Sequence, residues 1–315
     1  MPGSRHRQHL PQLDDRLFLT DGGLETTLIF HDGIDLPLFA SFPLLKDDEG
    51  TEALRSYFRR YAQLAVDNGT GLVLESPTWR ASPRWAKELG CSEDELERLN
   101  RKAIALMEEI RDEFETDAAT FVVSGNIGPQ DDGYSPKTKL SAEEAQEYHS
   151  TQIRTFADTA ADLVTVMTMT YADEAIGVAR AAKEAGIPAV ISFTLETDGR
   201  LPNGQALGDA IAEVEEAAGG YPAYYMINCA HPTHFEDVLE GDWRQRVRGL
   251  RANASTRSHE ELDEAEDLDD GDPQDLGARY AALRDKLPAL NVVGGCCGTD
   301  HRHVAEICSA LLVRS

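Results

Sequence analysis

Val292-Val293-Gly294-Gly295-Cys296-Cys297-Gly298 is the last apolar run of the chain and the point where that run turns into glycine. Two adjacent cysteines sit at the turn. A third, Cys229, ends another apolar run, Tyr224-Tyr225-Met226-Ile227-Asn228. Glycine on both sides of the pair permits unusual backbone angles and a close approach of backbone to a ligand. Three thiolates at the ends of two strands could hold one zinc ion, on Cys229, Cys296 and Cys297, and leave its fourth position open. An open position marks a catalytic site rather than a structural one. The competing reading is a pair of buried apolar thiols or a vicinal disulfide.

Working outward, short apolar runs alternate with amphipathic segments along the whole chain. The runs are Leu17–Thr20, Gly71–Leu74, Phe121–Ser124, Leu163–Val166, Ala189–Phe193, Tyr224–Asn228, Val247–Ala252 and Leu290–Val293. They are β-branched in places and do not alternate, as expected of strands buried on both faces. Between them lie helical patterns. Leu54, Phe58, Tyr61, Leu64 and Ala65 form one apolar stripe, with Gly69 past its last turn. Ser92-Glu93-Asp94-Glu95 and Ser141-Ala142-Glu143-Glu144 read as capping boxes, the second opening a helix that ends near Asp162. Asp173–Ala185 stops at Gly186. Eight such pairs argue for the α/β class and a single (β/α)8 TIM barrel over 17–315, with 1–16 as a disordered polar tail. An open doubly wound sheet would show a glycine-rich phosphate turn after its first strand. Asp21-Gly22-Gly23-Leu24 is not that turn. The acidic stretch Glu260–Asp275 reads as a solvated loop after the seventh strand.

Composition narrows the function classes. The 315 residues are 41% hydrophobic, enough for a large core, and the formal charge is −26. A duplex or an anionic membrane would be repelled, so nucleic acid and lipid are excluded as partners. Seven lysines stand against 23 arginines. A heavily acidic, lysine-poor surface resembles that of proteins from salt-rich cytoplasm, and a GC-rich genome would produce the same arginine bias. Residues 1–16 contain no apolar signal region and no run is long enough to span a membrane, so a cytoplasmic protein is expected. Five cysteines in this length do not make a disulfide scaffold and read instead as ligands or catalytic groups.

In a barrel the active site lies at the C-terminal strand ends, and the informative residues fall there. Asp21, Gly22 and Gly23 follow the first strand, Cys229 the sixth, and Cys296 and Cys297 the eighth. His231, His234, His301 and His303 are alternative fourth ligands, which would close the site. Cys91 and Cys308 sit in helical patterns and read as ordinary residues.

These motifs resemble the homocysteine S-methyltransferase family over nearly the whole chain. Its three markers stand here as Leu19-Thr20-Asp21-Gly22-Gly23, Ile227-Asn228-Cys229 and Gly294-Gly295-Cys296-Cys297-Gly298. Ser124-Gly125-Asn126-Ile127-Gly128-Pro129 and Thr78-Trp79-Arg80-Ala81-Ser82 are softer matches. The resemblance implies zinc on Cys229, Cys296 and Cys297, with the acceptor's sulfur as fourth ligand. It also implies methyl transfer to homocysteine, giving methionine, from S-methylmethionine, S-adenosylmethionine or a betaine. Asp21, with the backbone of Gly22 and Gly23, would hold the amino-acid end of the acceptor, and Asn228 counts among the acceptor-binding residues.

One position departs. Family members usually carry a glutamate near the end of the fourth strand that binds the acceptor's amino group. Here Met167 occupies that place. Glu75, ending the second strand, or Glu196, after the fifth, could substitute. Either the contact has moved, or the acceptor is another thiol or selenol. Two further classes are a dithiol redox protein and a non-catalytic zinc protein. No region is left over for a cobalamin or folate module.

Overall fold

Eight parallel strands close into one barrel in the order of the sequence. The structure is a computed structural model describing residues 3–134, 136–263 and 267–313. The strands are β1 (Phe18–Leu19), β2 (Gly71–Glu75), β3 (Phe121–Ile127), β4 (Leu163–Met169), β5 (Ala189–Thr194), β6 (Tyr224–Asn228), β7 (Val247–Ala252) and β8 (Val292–Gly295). Nearly every strand residue is buried, which is why the sequence runs are apolar rather than alternating. The fold is the expected α/β TIM barrel.

At least one helix follows each strand, and eight of them alternate with the strands. They are α1 (Asp48–Asn68), α2 (Glu93–Phe114), α3 (Ala142–Ala157), α4 (Ala172–Ala185), α5 (Leu207–Ala218), α6 (Pro232–Phe235), α7 (Pro273–Leu283) and α8 (His301–Leu312). Ser141 and Glu144 form a reciprocal capping box on α3, whereas Ser92 caps α2 with its own side chain alone. α3 stops at Ala157, short of the expected Asp162, because Asp162 is needed elsewhere. The acidic stretch is not all loop: His259–Asp263 forms a short helix and α7 begins at Pro273.

Side chains on the outer strand faces, such as Leu72, Leu74, Val123 and Ile191, join the main core beneath the helices. Those facing the barrel axis form a second cluster: Phe18, Val73, Val122, Leu163, Val190, Tyr224 and Val292. These lie at or near the starts of their strands and fill its lower half.

The amino-terminal segment differs from the expected tail. Leu10 is buried in the axial cluster and Gln12 is fully buried, its amide 3.5 Å from Tyr224 Oη. Asn291 Nδ2 donates to the carbonyls of Gln12, Asp14 and Arg16. Arg7 donates to the carbonyls of Ala157, Thr159 and Ala161. Polar composition misled here because the segment's polar groups satisfy chain ends at the closed face of the barrel.

Asp162 anchors that face. Its carboxylate accepts from His6 N (2.7 Å), Val123 N (2.9 Å) and Arg111 Nη1 (3.1 Å). Arg111 is itself buried, so removing its partner strands a charge. Asp162→Ala is therefore expected to lower stability by about 3–5 kcal/mol, read as a shift of the chemical-unfolding midpoint. An unchanged midpoint would refute the anchoring role.

Candidate active site

β7 separates the two strands that carry the cysteines, and its backbone holds both. Cys229 N donates to Arg251 O at 3.0 Å and Cys296 N to Ala252 O at 2.8 Å. The sulfurs of Cys229, Cys296 and Cys297 all lie within 4.8 Å of one another. Cys229 and Cys296 are joined as a disulfide, with Cα atoms 5.3 Å apart. Cys297 Sγ lies 3.6 Å from Tyr134 Oη. The expected vicinal alternative, a bond between Cys296 and Cys297, is not formed. Three convergent sulfurs fit a soft metal such as zinc. Because the thiolate is the ligand, Cys229 and Cys296 must be reduced to serve.

No histidine joins this cluster among the described residues. His231 Nδ1 pairs with Thr233 Oγ1 at 2.8 Å, and burial pushes its pKa down to about 4. His234 meets Thr256 O, and His303 meets Asp300 and Asp270 O. His301 is exposed. Cys91 and Cys308 are buried away from the cluster.

Two glycines make the cysteine turn compatible with its surroundings. A Cβ on Gly294 would stand 1.9 Å from Thr20 Oγ1, and one on Gly23 would stand 2.6 Å from Cys296 O. Gly23 N–H donates to Thr299 O at 3.0 Å, so it is not directed at a ligand as expected. Its place is close packing beneath Cys296.

Cys229 has a left-handed backbone, φ 54°, and so has Thr168 at φ 63°. Neither is glycine, so both need support. Asn228 supplies it. Its Oδ1 accepts from Thr168 N (2.9 Å) and Ser192 Oγ (2.6 Å), and its Nδ2 donates to Thr168 Oγ1 (2.9 Å). Asn228 lines the cavity, with one amide hydrogen left for a ligand.

Beside the sulfurs lies a cavity of about 270 Å³. Asp21, Glu75 and Arg251 reach it from the ends of three strands, and all are buried. Arg251 Nη2 lies 2.9 Å from Asp21 Oδ1, a contact without hydrogen-bond alignment on that oxygen. Asp21 Oδ2 accepts from Tyr57 Oη at 3.0 Å. Glu75 Oε2 has no hydrogen-bond partner. Burial pushes the Glu75 carboxyl up to about 7, opposed by Arg251 and by the hydroxyls of Ser124 and Thr165. Burial also works against the Arg251 charge, but Asp21 and Glu75 outweigh it and raise its pKa. Met167 lines the same cavity as an apolar wall, at a break in the register of β4. Glu196 does not reach the cavity; it faces His259 at 3.5 Å. Of the two candidate substitutes for a β4 glutamate, only Glu75 is at the site. Phe39, Trp79 and Tyr134 add aromatic walls, and Glu25, Arg80 and Asp132 add further charge.

Arg251, Tyr57, Thr168 and Tyr134 escape the sequence reading. Arg251 alone carried a signal there. An arginine at the end of a buried strand, Val247-Arg248-Gly249-Leu250-Arg251-Ala252, requires a buried partner.

A parallel barrel with three convergent sulfurs beside a charged cavity at its C-terminal face has the architecture of a barrel enzyme with a cysteine-lined active site. The homocysteine S-methyltransferase family model matches residues 18–311, and the chain belongs to that family. It is an S-methyltransferase whose family acts on small molecules, homocysteine and a methyl donor. Among solved structures it is similar to the oxidized form of the homocysteine methyltransferase MmuM from Escherichia coli. That match has 21% identity over 97% of this chain and 98% of that chain, with a TM-score of 0.75. The metallated form of the same protein matches with 21% identity over 96% and 97%, at a TM-score of 0.71. These likenesses are of fold. Comparison with curated proteins gives no match. No helix among the described residues is long and apolar enough to cross a membrane.

The raised Glu75 pKa makes a pH prediction. The folded carboxyl holds its proton up to about 7 against an ordinary 4.5, so the folded state binds more protons between these values. This group's contribution to stability therefore falls as pH rises from about 4.5 through 7. Glu75→Gln is expected to flatten that stretch of the melting-temperature profile of ligand-free protein. An identical slope in the variant would refute the assignment.

Proposed function

We propose that the protein transfers a methyl group, with zinc, from a small activated donor to the thiol of homocysteine, giving methionine. The donor would be S-methylmethionine, S-adenosylmethionine or a betaine. The observation that carries this reading is the three cysteine sulfurs within 4.8 Å of one another at the mouth of a charged cavity. Cys229, Cys296 and Cys297, once reduced, would hold the zinc. Bound there, the ion would keep a thiol of ordinary pKa ~8.5 as thiolate near neutrality.

The chain's own residues bind and align. Asp21 and Glu75 take the acceptor's ammonium, the cation that the unpartnered Glu75 oxygen calls for. Gly23 N–H is engaged with Thr299, so the carboxylate falls to another donor at that end of the cavity. Asn228 offers its remaining amide hydrogen and holds the backbone of Cys229 in place. Phe39, Trp79 and Tyr134 screen the reacting atoms from water and present π-faces to a cationic donor. Aligning sulfur, methyl and leaving group is the main catalytic task left to the protein.

Met167 favours a second reading, the same chemistry on a different thiol or selenol acceptor. Zinc X-ray absorption on reduced protein separates the two. Adding homocysteine is expected to change three sulfur neighbours plus a light atom into four sulfurs. Unchanged three-sulfur coordination would move the acceptor to another thiol. Metal-free protein after full reduction would overturn the zinc assignment.

Cys296→Ala is expected to lose zinc and activity while the barrel stays folded, because buried strands supply most of the stability in a chain this long. Full zinc content and normal turnover in that variant would refute the site.

A further inference from the structure

The charged end of the cavity holds more than one ammonium needs. Arg251 extends from β7 past β8 to the turn after β1. Its Nε donates to Gly295 O at 2.9 Å and its Nη2 to Gly22 O at 2.9 Å. Nη2 also meets Asp21 Oδ1 at 2.9 Å. Nη1 has no hydrogen-bond acceptor among the described residues, and Arg251 lines the cavity. Across the same cavity Glu75 Oε2 is buried with no donor, on a residue 3% exposed. A buried polar atom without a partner carries a desolvation penalty of about 1–3 kcal/mol, more when charged. One unfilled donor edge and one unfilled acceptor therefore face a single space.

The filled parts of the network fix the geometry of the unfilled ones. Arg251 cannot swing away, because two carbonyls and Asp21 hold its Nε and Nη2. Glu75 is confined by burial at the end of β2, beside Ser124 and Thr165, whose hydroxyls pair with each other at 2.8 Å. Both groups are thus preorganised for a ligand carrying an ammonium and a carboxylate on one carbon.

We infer that Arg251 is a specificity-determining residue whose Nη1 edge receives the acceptor's carboxylate while Glu75 receives its ammonium. The pair selects a zwitterionic α-amino acid thiol over plain amines and plain acids. The inference rests on the amino-acid-acceptor reading above and adds to it the residue that reads the carboxylate. An amine alone leaves the guanidinium edge unfilled. An acid alone leaves Glu75 unfilled and adds a third negative charge beside Asp21.

The test measures head-group binding without methyl transfer, by calorimetry on the zinc-loaded protein. Three thioethers serve as probes: L-methionine, which carries both charges; 3-(methylthio)propylamine, which lacks the carboxylate; and 4-(methylthio)butanoate, which lacks the ammonium. Wild type is expected to bind methionine at least tenfold more tightly than either single-charge probe. Arg251→Gln should weaken methionine and the acid about tenfold or more, as loss of a charge-assisted hydrogen bond requires. It should leave the amine within about twofold, since the amine makes no bond to Nη1. Glu75→Gln should weaken methionine and the amine by about the same factor as Arg251→Gln weakens methionine, and spare the acid.

Equal losses for all three probes in either variant would overturn the inference and leave Arg251 a purely structural brace. Should Arg251→Gln fail to fold, Glu75→Gln and the wild-type ranking still decide. Wild type that ranks the amine or the acid level with methionine overturns it outright. Absent methylation of homocysteine in a separate assay would refute the functional reading without altering this binding pattern, so the two failures are distinguishable.

Discussion

The mouth of this barrel depends on one buried guanidinium. Withdrawing a charge from water costs several kcal/mol, and only well-aligned partners offset it. Arg251 has two, the carbonyls of Gly295 and Gly22, and beside them the opposite charge of the Asp21 carboxylate at 2.9 Å. These contacts tie β7 to the turn after β1 and to the end of β8. Because β7 also receives the N–H groups of Cys229 and Cys296, the side chain and backbone of one strand locate both cysteine-bearing ends. A lysine could not replace it, since a point charge lacks the planar fork that reaches three acceptors at once.

The barrel axis has a polarity gradient that explains why the site sits where it does. Near the strand starts the axis is filled by Phe18, Val73, Val122, Leu163, Tyr224 and Val292, with Leu10 inserted from the amino-terminal segment. Nearer the strand ends the same faces carry Thr20, Glu75, Ser124, Thr165, Ser192, Asn228 and Arg251, all buried. Apolar side chains pack the lower half into one cluster, a source of stability separate from the site. The upper half is a network in which a polar group must find another polar group or a ligand. Among the described residues Glu75 Oε2 and Asp21 Oδ1 are two of the points where that network is left unfilled.

Much of this was legible in the chain. Buried parallel strands announce themselves as short apolar runs, and all eight lie where the runs are, with ends shifted by up to three residues. The cysteines stood out by their place at two strand ends, one flanked by glycines, whereas Asp21 and Glu75 drew attention through the resemblance to the family, Glu75 as a substitute for the glutamate that Met167 replaces. Two kinds of residue were not. Polar side chains at the amino terminus read as solvated, because composition cannot reveal that Asn291 and Asp162 wait for them across the sequence. The partners of Asp21 were hidden too, since Tyr57 reads as one more member of a helix and the pairing with Arg251 spans 230 residues. Spacing locates elements; it does not name long-range polar partners.

Asn228 shows how a residue beside a ligand can serve mainly through the backbone. Left-handed backbone at a non-glycine residue costs on the order of 1–3 kcal/mol. Two such residues, Thr168 and Cys229, lie on either side of its amide. By engaging Thr168 through both N–H and hydroxyl, and Ser192 through its own oxygen, Asn228 fixes the ends of β4, β5 and β6 together. Asn253 Nδ2, just past β7, and His259 Nε2, at the start of the short helix, then meet the carbonyl of Cys229. Strain at Cys229 is thereby held from both sides, and its sulfur is directed toward Cys296 and Cys297 rather than along the strand. An Asn-Cys pair at this strand end is thus a brace followed by the cysteine it positions, and the brace comes first because the backbone must turn before the sulfur can point.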